Sequence, residues 1–303
     1  MITTVSALKE RSLLGLKDLS AAEINSILER AAFWDSQTDK VVPVLKDKFV
    51  ANMFFESSTR TRFSFEMAQK RLGAEVLNFS ATASSIEKGE SIYDTVRTIE
   101  SMGVDAEVIR LAPSGVLEEL AERISIPLIN AGDGRNEHPT QALLDLYTMK
   151  QHFGDLRGLK VSIIGDIEHS RVARSNLWAL QKFGADVKFC APENMRAPEL
   201  AEYAPYVPME EAVCADVIMM LRVQLERHTE GLFKSKDDYR MQYGLTEERA
   251  GKLAPHTIIM HPAPMNRNVE IDDAVVEHAQ SRIFKQMENG VPIRMAVMER
   301  AMQ

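Results

Sequence analysis

The chain has 303 residues, of which 45% are hydrophobic and 26% charged, and a formal net charge of −8. That is enough apolar material for two cores in an ordinary globular protein, and the negative balance argues against nucleic acid as a main partner, so an anion site must be a local funnel of a few arginines and lysines. No uninterrupted apolar run could span a bilayer, and the start from Met1 to Leu14 is broken by Lys9, Glu10 and Arg11; the expected location is the cytoplasm, with the protein neither exported nor embedded.

In chain order, short apolar runs alternate with amphipathic stretches and show no internal repeat. This predicts an α/β fold of two domains, each a parallel sheet flanked by helices, with the active site in the cleft between them. Strands are expected at 49–55, 75–79, 106–110 and 127–130, then at 160–165, 186–190, 217–221 and 257–261. A helix is expected from about Ser58 to Gly73, where glycine ends the periodic pattern. The stretch 139–153, closed by Gly154, reads as a helix bridging the two sets of strands, and 171–183, ending at Gly184, completes a strand–helix–strand unit. A last segment with Val291, Met295, Met298 and Met302 on one face needs a surface to bury against. The domains are expected at 1–141, joined by 290–303, and at 142–289. Cys190 and Cys214 lack metal or redox spacing and read as buried structural thiols in a reducing compartment.

Polar clusters follow six of the eight predicted strands, at the carboxyl ends where open parallel sheets bind ligands. Ser58-Thr59-Arg60-Thr61 follows the first strand. Its hydroxyls and guanidinium suit an anion held at a helix N-terminus, although a capping Ser/Thr beside solvated arginines has the same sequence. Arg110 ends the 106–110 run. Gly132-Asp133-Gly134 reads as tight backbone geometry, and His138-Pro139-Thr140-Gln141 as a helix start with proline at its first position. There His138 either caps the helix or, kept neutral, donates an N–H to a carbonyl. Asp166 and Arg171 follow 160–165, and Arg222-Val223-Gln224 follows 217–221. His261-Pro262-Ala263-Pro264 is either a rigid loop or a set of carbonyls left open to accept from an amide. With four arginines and few carboxylates beside them, the clusters together favour a cleft for polyanionic ligands. The polar stretch 228–240 reads as a mobile loop, and Ser84 to Glu90 as exposed surface.

In order and spacing, the motifs at 55–61, 138–141, 222–224 and 261–264 resemble those of the aspartate/ornithine carbamoyltransferase family over nearly the whole chain. His-Pro-Thr-Gln and Arg-Val-Gln-x-Glu-Arg look like the aspartate branch; Ala263 stands where many of its members carry Leu. The resemblance implies transfer of the carbamoyl group of carbamoyl phosphate to the amine of L-aspartate, giving N-carbamoyl-L-aspartate and phosphate, an early step of pyrimidine biosynthesis, with no cofactor or metal. It implies that Ser58, Thr59, Arg60, Thr61 and Arg110 hold the phosphate, and that Thr61, Arg110 and His138 hold the carbamoyl oxygen. Gln141 and the carbonyls near Ala263 and Pro264 would accept from the carbamoyl NH₂. Arg171, Arg222 and Gln224 would grip aspartate. Through the family alone, Ser84 and Lys88 acquire a role, on a loop that reaches a neighbouring subunit's active site, which implies a homotrimer with shared sites; a regulatory subunit is left open. The implied catalytic set is Arg60, Thr61, Arg110, His138 and Lys88, and the 228–240 loop would close over aspartate. Rival readings are a relative with another amine acceptor, a dinucleotide enzyme, which Gly165-Asp166-Ile167-Glu168-His169 fits poorly for want of the glycine spacing, and a non-catalytic anion-binding subunit.

Overall fold

All eight expected strands form, and every pairing between them is parallel, in two separate four-stranded sheets. This computed structural model describes residues 10–80, 89–223 and 235–303. Two units divide the chain: Met1–Leu144 with Glu288–Gln303, and Asp145–Met287.

In the first unit β1 (Phe49–Phe54), β2 (Glu75–Ser80), β3 (Ala106–Leu111) and β4 (Leu128–Asp133) lie in the order β2-β1-β3-β4. In the second, β5 (Lys160–Ile164), β6 (Asp186–Cys190), β7 (Val217–Met220) and β8 (Ile258–Met260) lie in the order β6-β5-β7-β8. Each chain segment therefore starts at the middle of its sheet, steps one way, and returns to build the other side. The reversal falls between β1 and β3 in one sheet and between β5 and β7 in the other. Such switch points open a crevice at the carboxyl ends of the strands, where a ligand can sit against two diverging loops.

The inner strands are mostly buried and largely apolar because helices cover both faces of the sheets. Ala51, Met53, Ile109 and Leu111 pack with Val96, Leu117 and Leu120 in the first unit; Ile164, Ile218, Met220 and Ile259 pack with Met209, Ile271 and Val276 in the second. The helices Thr59–Arg71, Pro139–Phe153 and Arg171–Lys182 end within a residue or two of Gly73, Gly154 and Gly184, whose positive φ values of 79°, 76° and 72° let the chain leave each helix.

Four expectations are corrected. β4 runs on through Asp133, because a register shift after Ile109 pairs Leu111 with Asp133 and Glu137 forms an antiparallel bridge with the same residue. The last helix is Ile283–Met302, longer than expected, and contains Pro292. Part of the stretch read as a mobile loop is the helix Lys236–Tyr243. Ser235 caps it by accepting from the Asp238 N–H, Asp237 and Asp238 sit in its first turn, and Arg240 forks onto Asp272 at 2.5 and 2.6 Å; positions 228–234 lie outside the described residues. Finally, Cys190 is buried, its thiol pushed up to about 12 mainly by that burial, whereas Cys214 is exposed at the turn after Met209–Ala212. Among the described residues no helix is long and apolar enough to cross a membrane.

Candidate active site

In the first unit, β1 delivers the chain to the helix Thr59–Arg71, with Ser58 at the N-cap in extended geometry. Elsewhere Ser20, Ser91, Ser170, Ser235 and Thr246 each cap a helix by accepting from the N–H three residues on. The Ser58 hydroxyl makes no such bond, so the ordinary capping alternative is not realised. Nor does an acidic side chain occupy this first turn, as Glu23, Asp94 or Asp237 does in other helices. Arg60 stands there instead, at the positive end of the helix dipole, where an anion is favoured.

Arg110 lies at the end of β3, beside β1. The Phe55 N–H donates to the Arg110 carbonyl at 3.0 Å, and the guanidinium is fixed by Glu56, 3.0 Å from its Nε, and by the Ala131 carbonyl, 3.2 Å from Nη1. A carboxylate thus stands directly beside one of the site arginines. Glu56 was legible as a residue of the motif but not as the group that aims Arg110.

The loop after β4 is held by Asp133 and Glu137, both buried. One Asp133 carboxylate oxygen accepts from Gly115 N–H and the Asn136 amide. Glu137 accepts from Leu16 and Lys17 N–H at 2.8 and 3.1 Å and so anchors the segment before the first helix. The His138 carbonyl accepts from Gln141 and Ala142 N–H, which fixes His138 at the start of Pro139–Phe153; His138, Thr140 and Gln141 are all buried. The first unit therefore gathers Ser58 to Thr61, Arg110 and the 138–141 turn at three adjoining strand ends.

In the second unit, Arg171 opens the helix Arg171–Lys182 after the loop that follows β5. The buried Asp166 accepts from His169 N–H and from its Nδ1, at 3.1 and 2.9 Å, which folds the 165–170 loop beneath Arg171. Gly165, with φ 131°, is needed here because a Cβ would lie 3.1 Å from both the side chain and the carbonyl of Leu221. That close approach, with the Leu221 N–H bonded to the Ile164 carbonyl at 2.8 Å, sets the Arg171 loop and Arg222 on neighbouring strand ends. β8 adds the 261–264 loop beside them. The Ala263–Pro264 peptide is cis, and Ala263 has φ 52°, a left-handed conformation that alanine adopts only under constraint. Ser84, Lys88 and Gln224 lie outside the described residues.

A cavity of about 370 Å³ in the second unit is lined by Met209, Glu210, Val213, Met241, Thr246, Glu248, Arg249 and Lys252 and holds none of the candidate residues. Its Arg249 donates to the carbonyls of Gly244 and Met241, closing the end of the Lys236–Tyr243 helix. Among the described residues no group of three or more His, Cys, Asp or Glu side chains is placed to hold a metal ion.

Two family models divide the chain between them. The carbamoyl-phosphate binding domain of aspartate/ornithine carbamoyltransferases matches residues 11–151, and the Asp/Orn binding domain matches 157–301. The chain belongs to the aspartate/ornithine carbamoyltransferase family. It is accordingly an enzyme, a transferase. Among solved members, an aspartate transcarbamoylase from Trypanosoma cruzi, in complex with carbamoyl aspartate and phosphate, is similar at 30% identity over 100% of this chain and 99% of its own, with a TM-score of 0.84. The catalytic subunit of the M. jannaschii aspartate transcarbamoylase is 34% identical over 96% and 97%, with a TM-score of 0.85. The Thermus thermophilus ornithine carbamoyltransferase is 25% identical over 97% and 99%, also with a TM-score of 0.85. Both branches of the carbamoyltransferase family thus share this fold.

Proposed function

We propose that this carbamoyltransferase is an aspartate carbamoyltransferase, transferring the carbamoyl group of carbamoyl phosphate to the amine of L-aspartate, a reaction that serves pyrimidine biosynthesis in the cytoplasm. The observation that carries the reading is the placement of cationic and hydroxyl groups at both switch points: Ser58, Thr59, Arg60, Thr61 and Arg110 at the ends of β1 and β3, and Arg171 and Arg222 just beyond β5 and β7.

The first unit then binds carbamoyl phosphate. Ser58, Thr59, Arg60, Thr61 and Arg110 hold the phosphate, and the Ser58 hydroxyl is available because it is not engaged as a cap. Thr61, Arg110 and His138 donate to the carbamoyl oxygen and stabilise the charge that grows there as the amine attacks. Gln141 and the carbonyls around Ala263 and Pro264 accept from the carbamoyl NH₂ and fix its plane. Arg171 and Arg222, with Gln224, fork onto the aspartate carboxylates, and Lys88 comes from a neighbouring subunit of a homotrimer. The new C–N bond forms as the C–O bond to phosphate breaks, and the departing phosphate takes the amine proton. Orientation and fixed charge supply the rate, and no covalent enzyme intermediate is required.

The similarity to an ornithine carbamoyltransferase gives a second reading, in which the acceptor is a diamine acid. Two guanidinium groups at the acceptor end disfavour it, because a second ammonium would meet like charge. The deciding experiment is a steady-state assay with carbamoyl phosphate and either L-aspartate or L-ornithine. Turnover confined to aspartate is expected, and Arg60→Ala should lower kcat by roughly two to three orders of magnitude. Turnover with ornithine alone would overturn the assignment, and an Arg60→Ala variant that loses affinity without losing kcat would point to a different role for the first-unit site.

A further inference from the structure

A continuous chain of buried polar side chains runs beneath the acceptor end of the second unit. Asn176, on the helix that Arg171 opens, donates to one oxygen of Asp145 at 2.8 Å. The other Asp145 oxygen accepts from the Gln286 amide, also at 2.8 Å. The Gln286 carbonyl oxygen accepts the His261 backbone N–H at 2.9 Å. The His261 Nδ1 in turn accepts the Ala263 N–H at 2.8 Å, which places its remaining ring proton on Nε2, where it donates to Glu270 at 3.3 Å. Glu270 then takes both the backbone N–H of Asn266, at 2.5 Å, and its side-chain amide, at 3.2 Å. The same Asn266 amide donates to the Val223 carbonyl at 3.0 Å. Asn176, Asp145, Gln286, His261 and Glu270 are at most 2% exposed, so each bond in the series has little competition from water.

The two ends of this series matter most. One is the helix of Arg171, the other the carbonyl immediately after Arg222, and the 261–264 loop hangs between them. Within the loop Ala263 is held at φ 52°, a conformation that persists only when its surroundings over-determine it; the bond from its N–H to His261 is such a constraint. We propose that Asn266 is a positioning residue that locks the carbonyls at 263 and 264 in register with Arg222, so that the carbamoyl group and the acceptor are oriented by one device. The proposal rests on the functional reading above. In this proposal Asn266 acts through the Val223 carbonyl and the 263–264 backbone and makes no substrate contact of its own. Its single amide group reaches Val223 and Glu270 at once, and no other described side chain donates to the Val223 carbonyl.

The test is Asn266→Ala, which removes the donor, beside Asn266→Ser, which keeps a short one, and Arg267→Ala as a control, since Arg267 is exposed and pairs with Asp273 outside the network. In the unmodified protein and in each variant, KM is measured for both substrates together with kcat and the melting temperature. Loss of the tie should raise KM for carbamoyl phosphate and for the acceptor together, each by about tenfold, the scale set by leaving a buried acceptor without its donor. Asn266→Ser should fall between Asn266→Ala and the parent, and Arg267→Ala should match the parent. A lower melting temperature or kcat with both KM values unchanged would assign Asn266 a purely structural role and overturn the proposal, as would a change in one KM alone. If Asn266→Ala does not fold, the Asn266→Ser values decide by the same criterion. Should the parent use ornithine instead of aspartate, the functional reading fails, while the paired change in KM is still read with ornithine.

Discussion

Glu107 is the residue whose surroundings least suit its chemistry. It lies at the middle of the first sheet, fully buried, opposite Ala51 on β1 and Leu128 on β4, and neither carboxylate oxygen finds a hydrogen-bond partner among the described residues. Burial first, and then the neighbouring Glu100, raise its pKa to about 8. Glu100 is itself committed to Arg97 and to the Ser125 N–H, at 2.7 and 2.6 Å, so it offers Glu107 no relief. The linkage follows directly: folded Glu107 keeps a proton that the unfolded chain has released above the ordinary glutamate range, so between about pH 4.5 and 8 the native state is progressively destabilised as pH rises. Every tenfold difference in proton affinity between the folded and unfolded chain is worth roughly 1.4 kcal/mol, so the loss across this window is a few kcal/mol. Glu107→Leu, of similar volume, should therefore stabilise the protein, and more at pH 8 than at pH 5. Urea unfolding at the two pH values checks this. An equal gain at both would mean that Glu107 is not protonated in the folded chain.

Among the elements, the last helix shows how distant segments close the first unit. Glu299, 3% exposed, accepts a forked pair of bonds from Arg30 at 2.5 Å each, one from the Trp34 ring N–H at 2.9 Å and one from Gln303 at 2.6 Å. Arg30 also stacks over Phe33, 4.1 Å from its ring centre. The partners are unequal: the Arg30 side chain is 40% exposed, that of Glu299 4%. Removing the buried hub should cost more, so Glu299→Ala is expected to destabilise by about 3 kcal/mol, because it strands an indole N–H and a guanidinium. Arg30→Ala should cost about half as much, since Trp34 and Gln303 still serve the carboxylate. A double-mutant cycle by chemical denaturation would measure the coupling, and equal single-mutant losses would contradict the ranking. The same helix marks where the sequence is a poor guide. Its pattern suggested a start at 290, yet it begins at Ile283 and continues through Pro292, since burial of Ile293, Val297, Met298 and Ala301 outweighs local propensity. Strands were far more legible. Runs buried on both faces are largely apolar, and the 186–190 strand matched to the residue. The strand-end clusters were legible for the same reason, as polar groups interrupting apolar runs. Glu56 beside Arg110, and Asn266 reaching Val223 across 43 positions, left no local signal, because only tertiary pairing gives those side chains their partners.

At the scale of the whole molecule, the net charge of −8 and the arginine clusters oppose each other: an anionic ligand would meet local attraction against a repelling average. On the proposed reading those clusters are completed only by assembly, because Lys88 acts in a neighbour's site. The chain of 34.0 kDa should then run as a homotrimer in solution, and two inactive variants should rescue one another. In an Arg60→Ala subunit the phosphate site is lost while its Lys88 still serves the neighbour; in a Lys88→Ala subunit the reverse holds. Any cyclic trimer that contains both kinds has one junction at which an intact Arg60 faces an intact Lys88. Dissociating and reassembling equal amounts of the two should therefore restore roughly a quarter of the parental site count, whereas each variant alone stays near its own background. Active-site titration of the remixed sample by carbamoyl aspartate production, with mass measured by light scattering, makes the comparison. A remixed trimer with no more activity than the average of its parents would show that each subunit builds its site from its own residues alone, and Lys88 would then have to act within its own chain or not at all.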